Sequence, residues 1–342
     1  MLRPGIAPIL NQIAIRTTNK LLRTSILLIN PTSTRRNFSS PTVSPALTTM
    51  SRGNEFTSFA EDNFSQSGAS GLYDRARPTY PSEAYSKILS LLPTSPSTPS
   101  TIVEPGAGTG IFSRGFLQTV LTEAEKENKK VGELIAIEPS KGMREGWEKK
   151  QVELEKSLKE KGIQVEIRDG LFDKIPVQDA KADLVVIAQA FHWVGKDGES
   201  AIREFARILK PQGVLALIWN FEDRSVPWVA QLRDAYEQHE AGTPQARLGW
   251  WKSIFDTEFY KETYEPAQLE TFHRELPSSE QGVVDRILSK SYITALSQEE
   301  QAKVANDMRE IVKRGEGKEW IDEKEGTFHY PYNTELFIIR KK

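Results

Sequence analysis

One eight-residue run constrains the fold of this chain more than anything else in it: Val103-Glu104-Pro105-Gly106-Ala107-Gly108-Thr109-Gly110. An apolar stretch runs into an acidic residue, glycines follow at every second position, and a helical pattern comes next. A strand that turns this way into a helix is the first half of a βαβ unit, and its bare backbone can approach a nucleotide-sized ligand closely. Loops that cradle a pyrophosphate read Gly-x-Gly-x-x-Gly. This one reads Gly-x-Gly-x-Gly, with the Glu104 carboxylate two positions ahead. A carboxylate at the strand tip repels a pyrophosphate and suits a ligand with a cationic end.

Downstream, strands are expected over 101–104, 133–138, 164–168, 182–188 and 214–220, with helices over 111–126, 143–158 and 199–209 between them. The run over 182–188 is almost continuously apolar, the pattern of a strand covered on both faces. Lys210-Pro211-Gln212-Gly213 is a helix stop. This alternation predicts an α/β protein with a doubly wound, mostly parallel sheet. Upstream, Pro78 and Pro81 impose extended backbone before a helical pattern over 82–92, and a Pro/Ser/Thr loop over 92–100 leads into the first strand. Beyond 220 the rhythm changes. Residues 221–265 are rich in tryptophan and charge without clear strands; a strand over 268–275, a helix over 281–295 and a terminal strand over 334–340 follow. The organisation read from this is an N-terminal extension (1–50), a cap and linker (51–100), a ligand-binding core (101–220), and an insertion with C-terminal strands completing the same domain (221–342).

Composition removes several chemistries. There is no cysteine, so no disulfide framework, thiolate metal site or cysteine nucleophile exists. The histidines (His192, His239, His273 and His329) are scattered, and no metal site is expected. Residues 1–54 carry seven basic side chains and no acidic one. That is the composition of a mitochondrial transit peptide, and Arg36-Asn37-Phe38-Ser39-Ser40 resembles a matrix-processing site. The alternatives are a disordered tail, or translation from Met50 and a cytoplasmic protein. Removing those seven from the 45 basic residues leaves 38 against 47 acidic ones, too negative a body for generic nucleic-acid binding. No apolar run approaches the roughly 18 residues needed to span a bilayer.

Further candidate residues fall at the carboxyl ends of successive strands, where open α/β sheets hold ligands. Glu138, in Ile137-Glu138-Pro139-Ser140, can accept both hydroxyls of a ribose. Asp169-Gly170 is placed to meet an adenine amino group. Gln189-Ala190-Phe191-His192-Trp193 borders the reacting end. Each has a plain explanation alone: a solvated strand end, or a turn. Their order on successive strands selects a nucleoside with a cationic far end, such as S-adenosyl-L-methionine.

On these residues, together with Met143 and Leu209-Lys210-Pro211-Gln212-Gly213-Val214-Leu215, the stretch 70–220 resembles the class I S-adenosyl-L-methionine-dependent methyltransferases. The resemblance is to the small-molecule branch that includes trans-aconitate methyltransferase and related fungal enzymes. Tyr73-Asp74-x-x-Arg77-Pro78-x-Tyr80-Pro81 resembles the cap over the cofactor in that branch. The resemblance implies a Rossmann-like sheet of seven strands with the last antiparallel. It implies a cofactor site of Glu104, Gly106, Ala107, Gly108, Gly110, Glu138, Pro139, Met143, Asp169, Gly170 and Gln189. In that site Glu104 and Gly106 hold the methionine end, Glu138 the ribose, Met143 the adenine face and Asp169 its edge. Tyr73, Arg77, Tyr80, Phe191, Trp193 and Trp219 fall on the substrate side.

A sulfonium donor is already activated, so such a protein mainly aligns the acceptor and excludes water. A carboxylate acceptor needs no base; a hydroxyl or carbon acid does, and His192 is the candidate catalytic residue. The alternative is that His192 and Trp193 form an aromatic wall. Arg77 pairs with an anion at the site or makes a surface salt bridge. Trp219, Trp228, Trp250 and Trp251 line an apolar acceptor pocket or pack the core. No Asn-Pro-Pro-aromatic motif follows the fourth strand, and lack of cysteine rules out methylation at cytosine carbon 5; the resemblance implies a small-molecule acceptor, a carboxylate among those that fit. Two readings from other classes remain: a non-catalytic S-adenosyl-L-methionine-binding assembly factor, and an NAD-dependent oxidoreductase, against which the glycine spacing argues.

Overall fold

The computed structural model describes residues 74–94 and 98–342. The transit-peptide reading of 1–50 and the substrate-side placement of Tyr73 lie outside the described residues.

A first helix, α1 (Ser82–Ser90), precedes β1 (Ser100–Pro105). The alternation then runs α2 (Ile111–Glu123), β2 (Val131–Ile137), α3 (Lys141–Glu160), β3 (Gln164–Arg168), β4 (Ala182–Ala188), α4 (Glu199–Ile208) and β5 (Leu209–Glu222). Helices α5 (Pro227–Glu237) and α6 (Glu258–Thr263) lead to β6 (Gln268–Ser278). Helices α7 (Glu280–Leu288), α8 (Ser291–Thr294) and α9 (Gln298–Arg314) precede β7 (Trp320–Asp322) and β8 (Thr327–Arg340).

The sheet has eight strands in the order β3-β2-β1-β4-β5-β8-β6, with β7 paired to β8 beside that path. Strands β1 to β5 run parallel, and β8 enters antiparallel between β5 and β6. The expected seven strands are therefore eight. The extra one is the three-residue, exposed β7, too short to leave a pattern in the sequence.

Period-two alternation explains why the sheet is covered on both faces. Ile102, Leu184, Val186, Ala216 and Ile218 face one way, onto Phe112 and Phe116 of α2 and Ile88 and Leu89 of α1. Val103, Val185, Ile187, Leu217 and Trp219 face the other, onto Ile202 and Phe205 of α4 and onto Trp251. Each such aliphatic side chain contributes about 1.5–3 kcal/mol on burial. A third apolar cluster joins α5, α7 and α9 to β8 through Trp228, Val284, Ile287, Met308 and Tyr330.

Two expectations need correction. The helix expected over 281–295 is two helices, because Lys290 is extended (φ −76°, ψ 136°) between α7 and α8. Residues 221–265 agree with the expectation of no clear strands: past the end of β5 they form α5, two 3₁₀ turns and α6. Strand β5 starts at Leu209 rather than 214, because Leu209 pairs with Ala182 ahead of a register shift. Sequence patterning also passed over α9, although its capping box, Ser297 with Glu300, is formed. No helix among the described residues is long and apolar enough to cross a membrane.

Candidate active site

Strand β1 sits between β2 and β4, so the chain leaves it in one direction and returns on the other side. At that switch point a crevice opens beyond the strand ends. A cavity of about 590 Å³ lies there. Its wall takes Gly106 and Gly108 from beyond β1, Glu138 to Ser140 from beyond β2, Gly170 to Asp173 from beyond β3, Ala188 to Ala190 from β4, and Asn220 to Glu222 from β5.

The glycine loop is tied to its neighbours. The amides of Gly106 and Ala107 donate to the Ile137 carbonyl at 2.8 and 3.1 Å. The Glu138 carboxylate accepts from Gly108 N–H through Oε2 and from Ser140 N–H through Oε1, both at 2.9 Å. Gly106 has φ +74°, and a Cβ there would come within 2.7 Å of the Ala190 Cβ. Only glycine fits this cradle. Asp74, which sequence reasoning did not place in the site, clamps the loop from outside. Its carboxylate accepts from Thr109 Oγ1 at 2.6 Å and meets Lys150 at 2.5 Å and Arg114 at 3.2 Å. Burial alone would raise the Asp74 carboxyl, but these partners hold it below its ordinary range.

Glu104 lies at a smaller cleft of about 40 Å³ beside the cavity, together with Arg77, Tyr80, Ala107 and Gln189. Its carboxyl is wholly buried and accepts from Ser113, whose hydroxyl accepts from Trp147 Nε1 at 2.9 Å. Burial pushes the carboxyl up to about 8; the Ser113 hydrogen bond and Arg114 offset this in part. A cation arriving beside Glu104 would restore its charge.

Of the expected cofactor residues, Gly106, Gly108, Glu138, Pro139, Met143, Gly170 and Gln189 stand on the cavity wall. Glu104 and Ala107 stand at the smaller cleft. Two do not join them. Gly110 (φ +81°) faces the Trp147 indole, where a Cβ would come within 2.6 Å; its role is to let α2 start against α3. Asp169 is 72% exposed and pairs with Arg144 at 3.4 Å, off the wall.

On the substrate side, Arg77, His192 and Trp193 line the cavity. Arg77 donates to the Ser289 carbonyl at 3.0 Å. The Pro78–Tyr80 segment is held by Asn220, whose Nδ2 donates to the Thr79 carbonyl at 3.0 Å. Phe191 and Trp219 are corrections. Phe191 packs on Phe172, Phe205 and Trp251, and Trp219 stacks on Trp251 at 4.5 Å; both are wholly buried core residues. Tyr80 is buried edge-on to Tyr85 and Phe112 and reaches only the smaller cleft. Trp228 and Trp251 are also buried in the core. His192 is a poor base: burial, aided by Arg77, pushes it down to about 3.

Sequence reasoning missed a charged cluster beyond β5. Glu222 is buried and its Oε1 meets both Arg286 Nη2 and Lys290 Nζ at 3.1 Å. Tyr236 donates to its Oε2 at 3.2 Å, and Arg233 donates to its main-chain carbonyl at 3.0 Å. Arg233 also pairs with Glu237 at 2.7 Å, and Arg247 bridges Glu237 and Glu240. Although burial opposes the charge on Glu222, Lys290, Arg286 and Arg233 hold its carboxyl far below its ordinary range. Burial and Arg286 bring the Lys290 ammonium down to about 7, with Glu222 opposing. The sequence signal was a pair of cations, Arg286 and Lys290, set among Val283, Val284, Ile287 and Ile293.

A nucleoside-sized cavity at the switch point, a glycine cradle closed to any Cβ, and an acidic residue at the end of β2 define a class I methyltransferase site. Residues 103–217 match the family described as "Methyltransferase domain". An uncharacterized methyltransferase of Schizosaccharomyces pombe is 35% identical over 170 residues, which are 50% of this chain and 58% of that protein. A methyltransferase-like protein of the same organism is 30% identical over 241 residues, 70% of this chain and 83% of that protein. Among solved structures, the YcgJ protein from Bacillus subtilis is 16% identical with a TM-score of 0.44, over 76% of this chain and 98% of that one. The chain belongs to the class I S-adenosyl-L-methionine-dependent methyltransferase family.

Proposed function

We propose that this chain transfers the methyl group of S-adenosyl-L-methionine to a small carboxylate acceptor. The observation that carries the acceptor class is the charge around Glu222. On that part of the wall Arg77, Arg233, Arg247, Arg286 and Lys290 outnumber Glu222, Glu237 and Glu240. An anion entering there gains charge-assisted hydrogen bonds in a site of low dielectric. It also returns Lys290 to its charged form.

The cofactor fits the residues present, since the Gly106 cradle admits backbone approach that any Cβ would block. Glu104 would hold its cationic amino group, Glu138 its ribose and Met143 its adenine. When bound it supplies a methyl group already activated on a sulfonium. The chain's own work is then to orient the carboxylate and exclude water.

The test is incubation with labelled S-adenosyl-L-methionine and a panel of acids, amines and alcohols, with products identified by mass spectrometry. Methyl esters are expected. Label found only on amines or hydroxyls, or on no acceptor, would contradict the reading. The acid-free, basic N-terminus supports import into the mitochondrial matrix. Sequencing of the native N-terminus tests this: a start near Ser39 agrees, and a start at Met50 or Ser51 contradicts it.

A further inference from the structure

His192 Nδ1 lies 3.3 Å from Trp219 Nε1. An indole nitrogen only donates, so Nδ1 accepts and carries no proton; in a neutral ring the proton is then on Nε2. Trp219 is held in place for this. It is wholly buried, stacked on Trp251 at 4.5 Å and 27°, and met edge-on by Phe337. The neutral ring is the stable form, because burial disfavours the imidazolium and Arg77 adds repulsion. Trp219 approaches the imidazole from the core side, whereas His192 itself stands on the cavity wall.

We infer that Trp219 fixes His192 as the Nε2–H tautomer and that His192 meets the acceptor as a hydrogen-bond donor to oxygen rather than as a base. The identity of that oxygen rests on the carboxylate reading above; the tautomer does not. One carboxylate oxygen held by Nε2–H leaves the other to attack. The new bond joins that oxygen to the methyl carbon, the carbon–sulfur bond breaks, and its electron pair stays on sulfur. No proton leaves the acceptor, so no base is needed. His192 thus touches substrate, and Trp219 is a positioning residue acting through it.

The test is long-range proton–nitrogen NMR on the full chain, labelled at histidine and bound to S-adenosylhomocysteine, with His192→Gln used to assign the signals. At about pH 7, near the intrinsic pKa of histidine, the wild-type ring is expected to be neutral and protonated on Nε2 alone. A charged ring, or one protonated on Nδ1, would overturn the inference, and this reading holds even if no Trp219 variant folds. Folded Trp219→Phe is expected to show a mixture of both tautomers; an unchanged Nε2–H pattern would overturn the positioning role. Formate, the smallest carboxylate, is expected to move the Nε2–H resonance on titration, and no movement would overturn the donor role. The acid-acceptor reading is judged separately, by methyl esters among the products, so the two can fail independently.

Discussion

Glu138 holds Gly108: the carboxylate Oε2 accepts the glycine amide at 2.9 Å, across thirty positions of sequence. The acidic residue ending β2 therefore shapes the glycine loop as well as standing at the site where a ribose is expected. Glu138→Gln retains one acceptor but loses the charge, and Glu138→Ala loses both. Hydrogen bonds to charged groups contribute about 1.5–3 kcal/mol. Calorimetric titration with S-adenosylhomocysteine is expected to show at least tenfold weaker binding for Glu138→Ala, roughly the 1.4 kcal/mol step of affinity arithmetic, with Glu138→Gln between the two. The Gly108 amide should also exchange faster with solvent in both variants.

The two loop glycines where a Cβ would clash, Gly106 and Gly110, separate by function. Gly106→Ala places a Cβ against Ala190 inside the cradle and should abolish cofactor binding. Gly110→Ala meets Trp147 behind the loop and should mainly cost stability, about 1–2 kcal/mol for the left-handed conformation alone. Thermal melts paired with cofactor titrations distinguish them. Equal loss of binding in both, at equal stability, would contradict the division.

Glu104 makes stability and cofactor affinity depend on pH. Its folded pKa of about 8 stands above the ordinary 4.5, so its contribution is fully present below 4.5 and is lost as pH rises through 8. Denaturant melts of the cofactor-free chain should show that decline, and Glu104→Gln should remove this component of it. Binding of a cationic ligand at Glu104 should release a proton near neutral pH, seen as a binding enthalpy that varies with the ionisation enthalpy of the buffer. No variation would contradict a cation seated there.

The Glu222 cluster predicts unequal losses. Arg286→Met takes from Glu222 one of the two cations on its Oε1, and breaking a buried pair costs about 3–5 kcal/mol. Lys290→Met should cost less, because burial and Arg286 already bring that ammonium down to about 7, so a weaker charge is lost. Lys290→Met should raise KM for an acid acceptor while leaving S-adenosylhomocysteine affinity unchanged. Urea unfolding and steady-state kinetics measure the two effects separately.

Phe191 and Trp193 are two residues apart and do different work. Phe191→Ala empties a fully buried core position and should destabilise by about 3–5 kcal/mol. Trp193→Ala alters a cavity wall and should act on acceptor kinetics with little change in the melting temperature.

The sheet was legible because its signal is local. Runs such as 182–188 are apolar at every position, and their ends coincide with the strand found. The loop beyond β1 and the residue beyond β2 followed from those ends. Trp219 was misplaced through neglect of the same period: it shares a face with Leu215 and Leu217, which already assigns it to the core. Position after a strand likewise does not say which side a side chain takes, and so Phe191 was placed on the substrate side. The Glu222 cluster was legible only in part: Arg286 and Lys290 among apolar residues mark buried cations, but not the carboxylate they meet. The cluster depends on Lys290, 68 positions away in sequence, brought to the end of β5 by helices whose docking no local pattern encodes.

The most direct measurement is the structure of the full chain bound to S-adenosylhomocysteine. The adenosyl group is expected between Glu138 and Met143, with the amino group beside Glu104 and the sulfur turned toward His192 and Trp193. A ligand seated elsewhere, or a cavity at the ends of β1 and β4 left without it under saturating ligand, would contradict the assignment of this site.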